Sequence, residues 1–189
     1  MDTRLVTALI VIGLVLLIAI GLWAYRRRRS ARLRRQFGPE YDRMLQQLGS
    51  RRRAEAELET RVRRVSALHV RELDLKDRAR LAEAWRSVQL RFADDPSGAV
   101  AAADRLVVEA MDARGYPVSR LDQCVADISV HHAHVLDDFR RAREIASRDD
   151  REQTSTEDLR QAMIGYRALF EDLLGERVGG RQARDDRAA

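Results

Sequence analysis

From Leu5 to Tyr25 the chain carries no charged side chain, and this run of 21 residues passes directly into Arg26, Arg27, Arg28 and Arg29. A helix rises about 1.5 Å per residue, so a run of that length reaches across a hydrocarbon core of roughly 30 Å. The pattern predicts a single transmembrane helix over residues 5–25. Only Asp2 and Arg4 precede it, whereas Arg26, Arg27, Arg28, Arg29, Arg32, Arg34 and Arg35 follow within ten residues. Basic residues at a membrane end stay on the cytoplasmic side, which predicts an extracytoplasmic N-terminus over residues 1–4 and a cytoplasmic remainder. A cleaved secretory signal would need a basic start, a shorter apolar stretch and small residues at a cleavage site. Leu22-Trp23-Ala24-Tyr25 supplies no such site, and Trp23 with Tyr25 reads instead as an aromatic belt at the transmembrane interface.

The charge sits in one place. The chain is +5 overall, from 35 basic and 30 acidic residues; residues 1–35 hold eight arginines and one aspartate, or +7, so residues 36–189 sum to −2. A domain of that balance lacks the basic footprint of a nucleic-acid binder, and no nucleic-acid partner is expected. The seven arginines of the basic juxtamembrane segment, residues 26–36, are read as membrane-surface contacts. Each basic residue near an anionic leaflet contributes on the order of 1 kcal/mol, so a membrane with anionic lipid is the expected partner surface.

Beyond the anchor the sequence reads as all-α. Val, Ile and Thr nowhere alternate as a sheet requires, and 10 glycines with 3 prolines in 189 residues leave long stretches free for helix. One cysteine, Cys124, permits no internal disulfide and fits a reducing compartment. The expected architecture is a transmembrane helix, then a long amphipathic helix within residues 37–73, a small helical bundle over 74–175 and a disordered tail over 176–189. Phe37-Gly38-Pro39 is a turn, with Gly ending one helix and Pro in the first turn of the next. Tyr41, Met44, Leu45, Leu48, Leu58, Val62, Val65 and Leu68 give the following helix an interrupted stripe that suits end packing or a short coiled coil, with Arg51, Arg52 and Arg53 on a solvated middle.

In the bundle, Leu81, Trp85, Val88 and Phe92 share one helix face, with Trp85 as central core residue. Asp95 caps the next helix with Pro96 at its first position, and Val100, Ala103, Leu106, Val107, Ala110 and Met111 point inward up to Gly115. Ser119 with Asp122 looks like a capping pair for a short helix through Val125 and Ile128, followed by a kink near Ser129. Val135, Leu136, Phe139, Ala142 and Ile145 form another face. A polar loop spans Ser147 to Thr154, and Ser155-Thr156-Glu157-Asp158 caps a last helix facing inward through Leu159, Met163, Tyr166, Phe170 and Leu173 or Leu174.

Several of these residues carry a resemblance: Phe37-Gly38-Pro39-Glu40-Tyr41-Asp42-Arg43, Trp85 to Pro96, Ala103-Asp104, Leu106-Val107, Met111, Arg114-Gly115-Tyr116-Pro117, Ser155 to Arg160 and Tyr166-Arg167. The chain resembles a family of uncharacterised bacterial proteins with one N-terminal transmembrane helix and a helical cytoplasmic domain. The resemblance implies a single-pass protein of the bacterial inner membrane and brings no activity, cofactor or catalytic residue with it.

Candidate chemistry is confined to one cluster. His131, His132 and His134 lie close together, with Asp127 one helical turn before His131 and Cys124 further upstream, so an enzyme or metal-binding module is the alternative reading. The spacing matches no zinc or di-iron pattern, and exposed histidines at a helix start, free to titrate, are the plainer expectation. Asp94-Asp95, Asp137-Asp138 and Asp149-Asp150 point apart as helical neighbours. Cys124, beside Val125 and Ala126, reads as a buried apolar thiol, and Tyr116 as a packing residue. The resulting expectation is a membrane-anchored interaction or scaffold protein, not an enzyme, without cofactor, with an unknown protein partner or a second copy of itself.

Overall fold

The computed structural model describes residues 3–149 and 154–175, with side chains at 12–14, 16–148 and 154–175. Eight α-helices and one 3₁₀ turn make up the secondary structure among the described residues, and the protein is all-α. The first helix, α1, is Thr3–Phe37, 35 residues without a break, or about 52 Å at the helical rise. It stops where Gly38 takes φ 48°, and Pro39 opens α2, Pro39–Leu48, as expected of that turn.

A single long helix over 37–73 does not form. Gly49 adopts a left-handed conformation, φ 60°, and closes α2 by donating its N–H to the Leu45 carbonyl; Ser50 is extended, and α3, Arg51–Ser66, doubles back along α2. The polar stretch that interrupts the stripe is therefore the tip and first turn of a helical hairpin. Reversal lets both halves of the stripe face each other, so no coiled coil with another chain is needed to bury them. Leu33 and Phe37 from α1, Tyr41 and Met44 from α2, and Ala54, Leu58 and Val65 from α3 pack into one small core, joined by Val130 from the bundle. Removing that apolar area from water, at roughly 25 cal/mol per Å², is what fixes the lower end of α1 to the hairpin.

The main bundle comprises α4, Leu75–Arg91; α5, Pro96–Ala113; α6, Leu121–His132; the 3₁₀ turn Ala133–Val135; α7, Leu136–Asp149; and α8, Thr156–Leu173. Asp74 and Asp95 cap α4 and α5 by accepting from Asp77 N and Gly98 N, and Ser155 with Asp158 forms a reciprocal capping box on α8. Two boundaries differ from expectation. Arg120, not Ser119, sits at the start of α6 and makes no side-chain cap, and the break between α6 and α7 falls at His132–Ala133 instead of Ser129. Helix α6 runs unbroken through Ser129, whose hydroxyl donates back to the Ala126 carbonyl.

Helix α8 is the bundle's central element, packed on α7 and α5, with α4 covering α5. Trp85 stacks on Phe170 at 4.7 Å between ring centroids, and Phe139 meets Tyr166 edge-on at 5.8 Å. Gly165 allows α7 and α8 to touch: a Cβ there would stand 2.4 Å from the Asp138 carbonyl oxygen.

Hairpin and bundle are joined by buried charge. Glu40 accepts from Arg61 at 2.8 Å and from both terminal nitrogens of Arg140, at 2.5 and 2.9 Å. Burial pushes the Glu40 pKa up, but the Arg140 and Arg61 guanidiniums outweigh it and hold it below the usual carboxylate value. Asp127, fully buried on α6, accepts from Arg64 of α3 at 2.5 Å; there burial prevails over Arg64, and the pKa is raised.

Among the described residues, no helix is long and apolar enough to cross a membrane. The expected transmembrane helix over 5–25 is thus not found as a span; it is helical throughout, and its side chains are described at 12–14 and from 16 onward. The expected disordered tail, 176–189, and the centre of the expected loop before α8 also lie outside the described residues, while α7 runs on through Asp149.

Candidate functional site

The upper half of α1 is not packed against any other element among the described residues. Ile12, Leu14, Leu16, Leu17, Ile18, Ile20, Leu22, Trp23 and Tyr25 are each more than half exposed, on every side of the helix. Water is a poor solvent for such a surface, and a helix that is apolar all round is ordinarily a buried one. The change comes within two turns: Ser30 is buried, and Leu33 and Phe37 belong to the hairpin core.

The seven arginines between these zones do not act as one group. Arg26, Arg28, Arg32 and Arg35 are exposed and form no ion pair among the described residues. Arg27 places its guanidinium 5.2 Å from the centroid of the Trp23 ring, a cation–π contact that holds the arginine beside the indole. Arg29 instead turns inward to a two-pronged ion pair with Glu59 of α3, and Arg34 reaches Asp42 of α2 at 3.3 Å. These two brace the hairpin, a role that charge counting along the sequence could not assign.

The hairpin brings further residues to the collar. Glu55 of α3 accepts from Ser30 of α1, from the Tyr41 hydroxyl at 2.9 Å and from Arg51 at 3.0 Å. Burial raises its pKa, but these three donors, Ser30 first, leave it lowered and ionised. Between α1 and the first turn of α3 lies a groove of about 970 Å³ lined by Trp23, Arg26, Arg27, Arg29, Ser30, Arg51, Arg52, Glu55 and Ala56. The sequence places Arg51 and Arg52 on a solvated mid-helix face; folding moves them next to Trp23. The signal for this is Gly49-Ser50, a helix-ending and helix-starting pair.

The fold divides the histidine cluster, bringing His132 and His134 together on Asp172 and turning His131 to Tyr116. The three residues lie at the end of α6 and in the 3₁₀ turn, not at a helix start, because the chain breaks after His132. His132 is 3% exposed and its Nδ1 lies 2.6 Å from Asp172 Oδ2, with His134 Nε2 at 3.5 Å from the other oxygen of the same carboxylate. Burial raises the Asp172 pKa, but His132 and then His134 draw it below the ordinary value. His131 faces the Tyr116 hydroxyl at 3.1 Å, and Asp127 is committed to Arg64. The Nε2 atom of His132 is buried without a partner, so it cannot meet a substrate as general base. Among the described residues, no group of three His, Cys, Asp or Glu side chains could hold a metal ion. Cys124 is fully buried, and burial pushes its thiol up to about 11, the opposite of an activated nucleophile.

The distinguishing geometry of this protein is thus the exposed apolar shaft, its arginine collar and the hairpin tip beside it. Comparisons with protein-family models, with curated proteins and with solved structures found no match.

Proposed function

We propose that the protein is a single-pass, membrane-anchored helical scaffold, with residues 5–25 in the bilayer and the hairpin and bundle on the cytoplasmic side as an interaction module. The observation that carries this reading is the continuity of α1: one helix has an apolar surface exposed on all sides at its upper end and a lower end buried in the domain core. Lipid is the solvent in which such a surface has no cost, and the run in the sequence has the length a bilayer requires. The arginines at the junction favour the cytoplasmic side for the domain and hold it against anionic headgroups. Tethering would raise the domain's local concentration for a partner at the membrane without any catalytic step.

The test compares the full chain with one beginning at Arg26, which keeps Ser30, Leu33 and Phe37 and so the hairpin core. The full chain should stay in the membrane fraction after alkaline carbonate extraction, the shorter one should be released, and proximity labelling should mark a defined partner set only around the anchored form. Release of the full chain by carbonate would overturn the anchor. Identical labelling by both forms would overturn tethering as the mechanism.

A further inference from the structure

We infer that the groove between α1 and α3 is a binding site for the phosphate headgroup of an anionic phospholipid; this rests on the membrane reading above and gives the arginine collar a discrete ligand.

Charge is the first argument. Five arginines and one carboxylate line the groove. Arg29 is neutralised by Glu59 and Arg51 by Glu55, but Arg26, Arg27 and Arg52 have no carboxylate partner among the described residues. Three uncompensated guanidiniums around one concavity repel one another, and they focus a positive potential into it. Arginine presents a planar fork of donors that matches a phosphate oxygen pair.

Helix α3 points its start toward the arginine-lined groove. Its first turn holds Arg51, Arg52 and Arg53 and no acidic residue, and its N-cap, Ser50, makes no side-chain hydrogen bond to the turn. Cations at that end oppose the helix macrodipole, and the leading amides lack a side-chain acceptor. Glu55 pairs with Arg51, but Arg52 and Arg53 have no acidic partner among the described residues. A phosphate seated in the groove pairs with Arg52 in the first turn of α3, an end of the helix where negative charge is favoured.

Depth selects the lipid as source. Trp23 forms one wall, near the end of the apolar run, and Arg27 stacks against it. A headgroup at the level of an interfacial tryptophan enters this groove without its acyl chains leaving the bilayer. The groove's about 970 Å³ is also ample for a glycerophosphate headgroup.

The experiment uses the full chain in a neutral detergent, where no membrane surface potential exists, and reads bound lipid by native mass spectrometry during titration with short-chain phosphatidylglycerol, phosphatidylcholine or inorganic phosphate. The groove variant is Arg26→Gln with Arg52→Gln; the control, Arg32→Gln with Arg35→Gln, removes the same charge from α1 outside the groove lining. Phosphatidylglycerol should bind the wild type one to one and ahead of phosphatidylcholine, and the groove variant should bind it roughly thirtyfold more weakly, as expected for two headgroup-facing arginines. The control should change less than about threefold, since Arg32 and Arg35 are exposed, lie outside the groove lining and are screened by solvent. Equal losses in both variants would reduce the collar to diffuse attraction and overturn the site while leaving the anchor standing. Competition by inorganic phosphate at matching concentration would overturn the lipid as ligand. Failure of the anchor itself is read separately, by carbonate extraction of the wild type.

Discussion

Replacing Glu40 by alanine tests whether hairpin and bundle form one unit. The Glu40 side chain is 2% exposed and Arg61 8%, so truncation leaves a buried guanidinium with only Ser129 Oγ at 3.4 Å, the Met44 sulfur, and a peripheral Glu57 contact at 3.3 Å. Arg140, 22% exposed and 3.3 Å from Asp137, can turn toward water, so the penalty falls on Arg61. Removing one member of a buried pair costs about 3–5 kcal/mol. For a domain of this size that lowers Tm by roughly 6–20 °C. The assay is thermal and urea unfolding of the full chain in detergent, followed by helical circular dichroism. Hydrogen exchange should locate the damage, with α2, α3 and the end of α1 losing protection before α5 and α8. Glu40→Leu combined with Arg61→Met should recover most of the loss, because an apolar pair of similar volume replaces the ions. Glu40 has a depressed folded pKa, so its contribution is present above the unfolded value and is lost as pH falls through the folded one. Glu40→Gln should therefore lie below the wild type at neutral pH and approach it in acid. A loss under about 1 kcal/mol for the alanine variant, or a glutamine deficit unchanged in acid, would refute the assignment of Glu40 as the joint.

Three further outcomes follow from the bundle. Gly165→Ala gains helix propensity yet drives a methyl into the Asp138 carbonyl, so the bundle should lose about 1–3 kcal/mol in a thermal melt; a stabilised variant would mean that α7 and α8 can separate freely. Asp172→Asn should cost about 1.5–3 kcal/mol at neutral pH by urea titration, and the difference should close as pH falls through the lowered folded pKa of Asp172; a gap that widens in acid would contradict the His132 pairing. Cys124, with its thiol pushed up to about 11, should resist a thiol-disulfide reagent at pH 8 until denaturant is added, and prompt labelling of the native chain would show that it is not buried.

The bundle is legible in the sequence because its signals are local. Asp74, Asp95-Pro96 and Ser155 mark helix starts by side-chain chemistry that acts within one turn, and the spacing of Leu81, Trp85, Leu159 and Phe170 marks the faces. The hairpin reads wrongly as one helix because its interrupted stripe has helical spacing on both sides of Gly49, and one glycine tolerated within a helix looks the same in sequence as one that ends it. Its reversal follows from nonlocal gains, such as Leu58 and Phe37 reaching one core, which periodicity does not register. The same limit hides the charge partners. Asp127 and His131 share a helix face by spacing, yet Arg64, 63 positions earlier, captures the carboxylate, and Asp172, 40 positions later, captures His132.

Because α1 enters the domain without a hinge, its upper end and the bundle turn as a single shaft. A helix advances about 100° per residue, so one residue inserted between Tyr25 and Arg29 would swing the bundle more than a quarter-turn about the axis relative to the apolar segment, while lifting it only about 1.5 Å. Ser30 and Arg29 latch the hairpin to the shaft at one azimuth, through Glu55 and Glu59. Whatever grips the apolar segment therefore sets the compass heading of every surface on the bundle, and a partner that twists the shaft would steer those surfaces at a distance of some 50 Å.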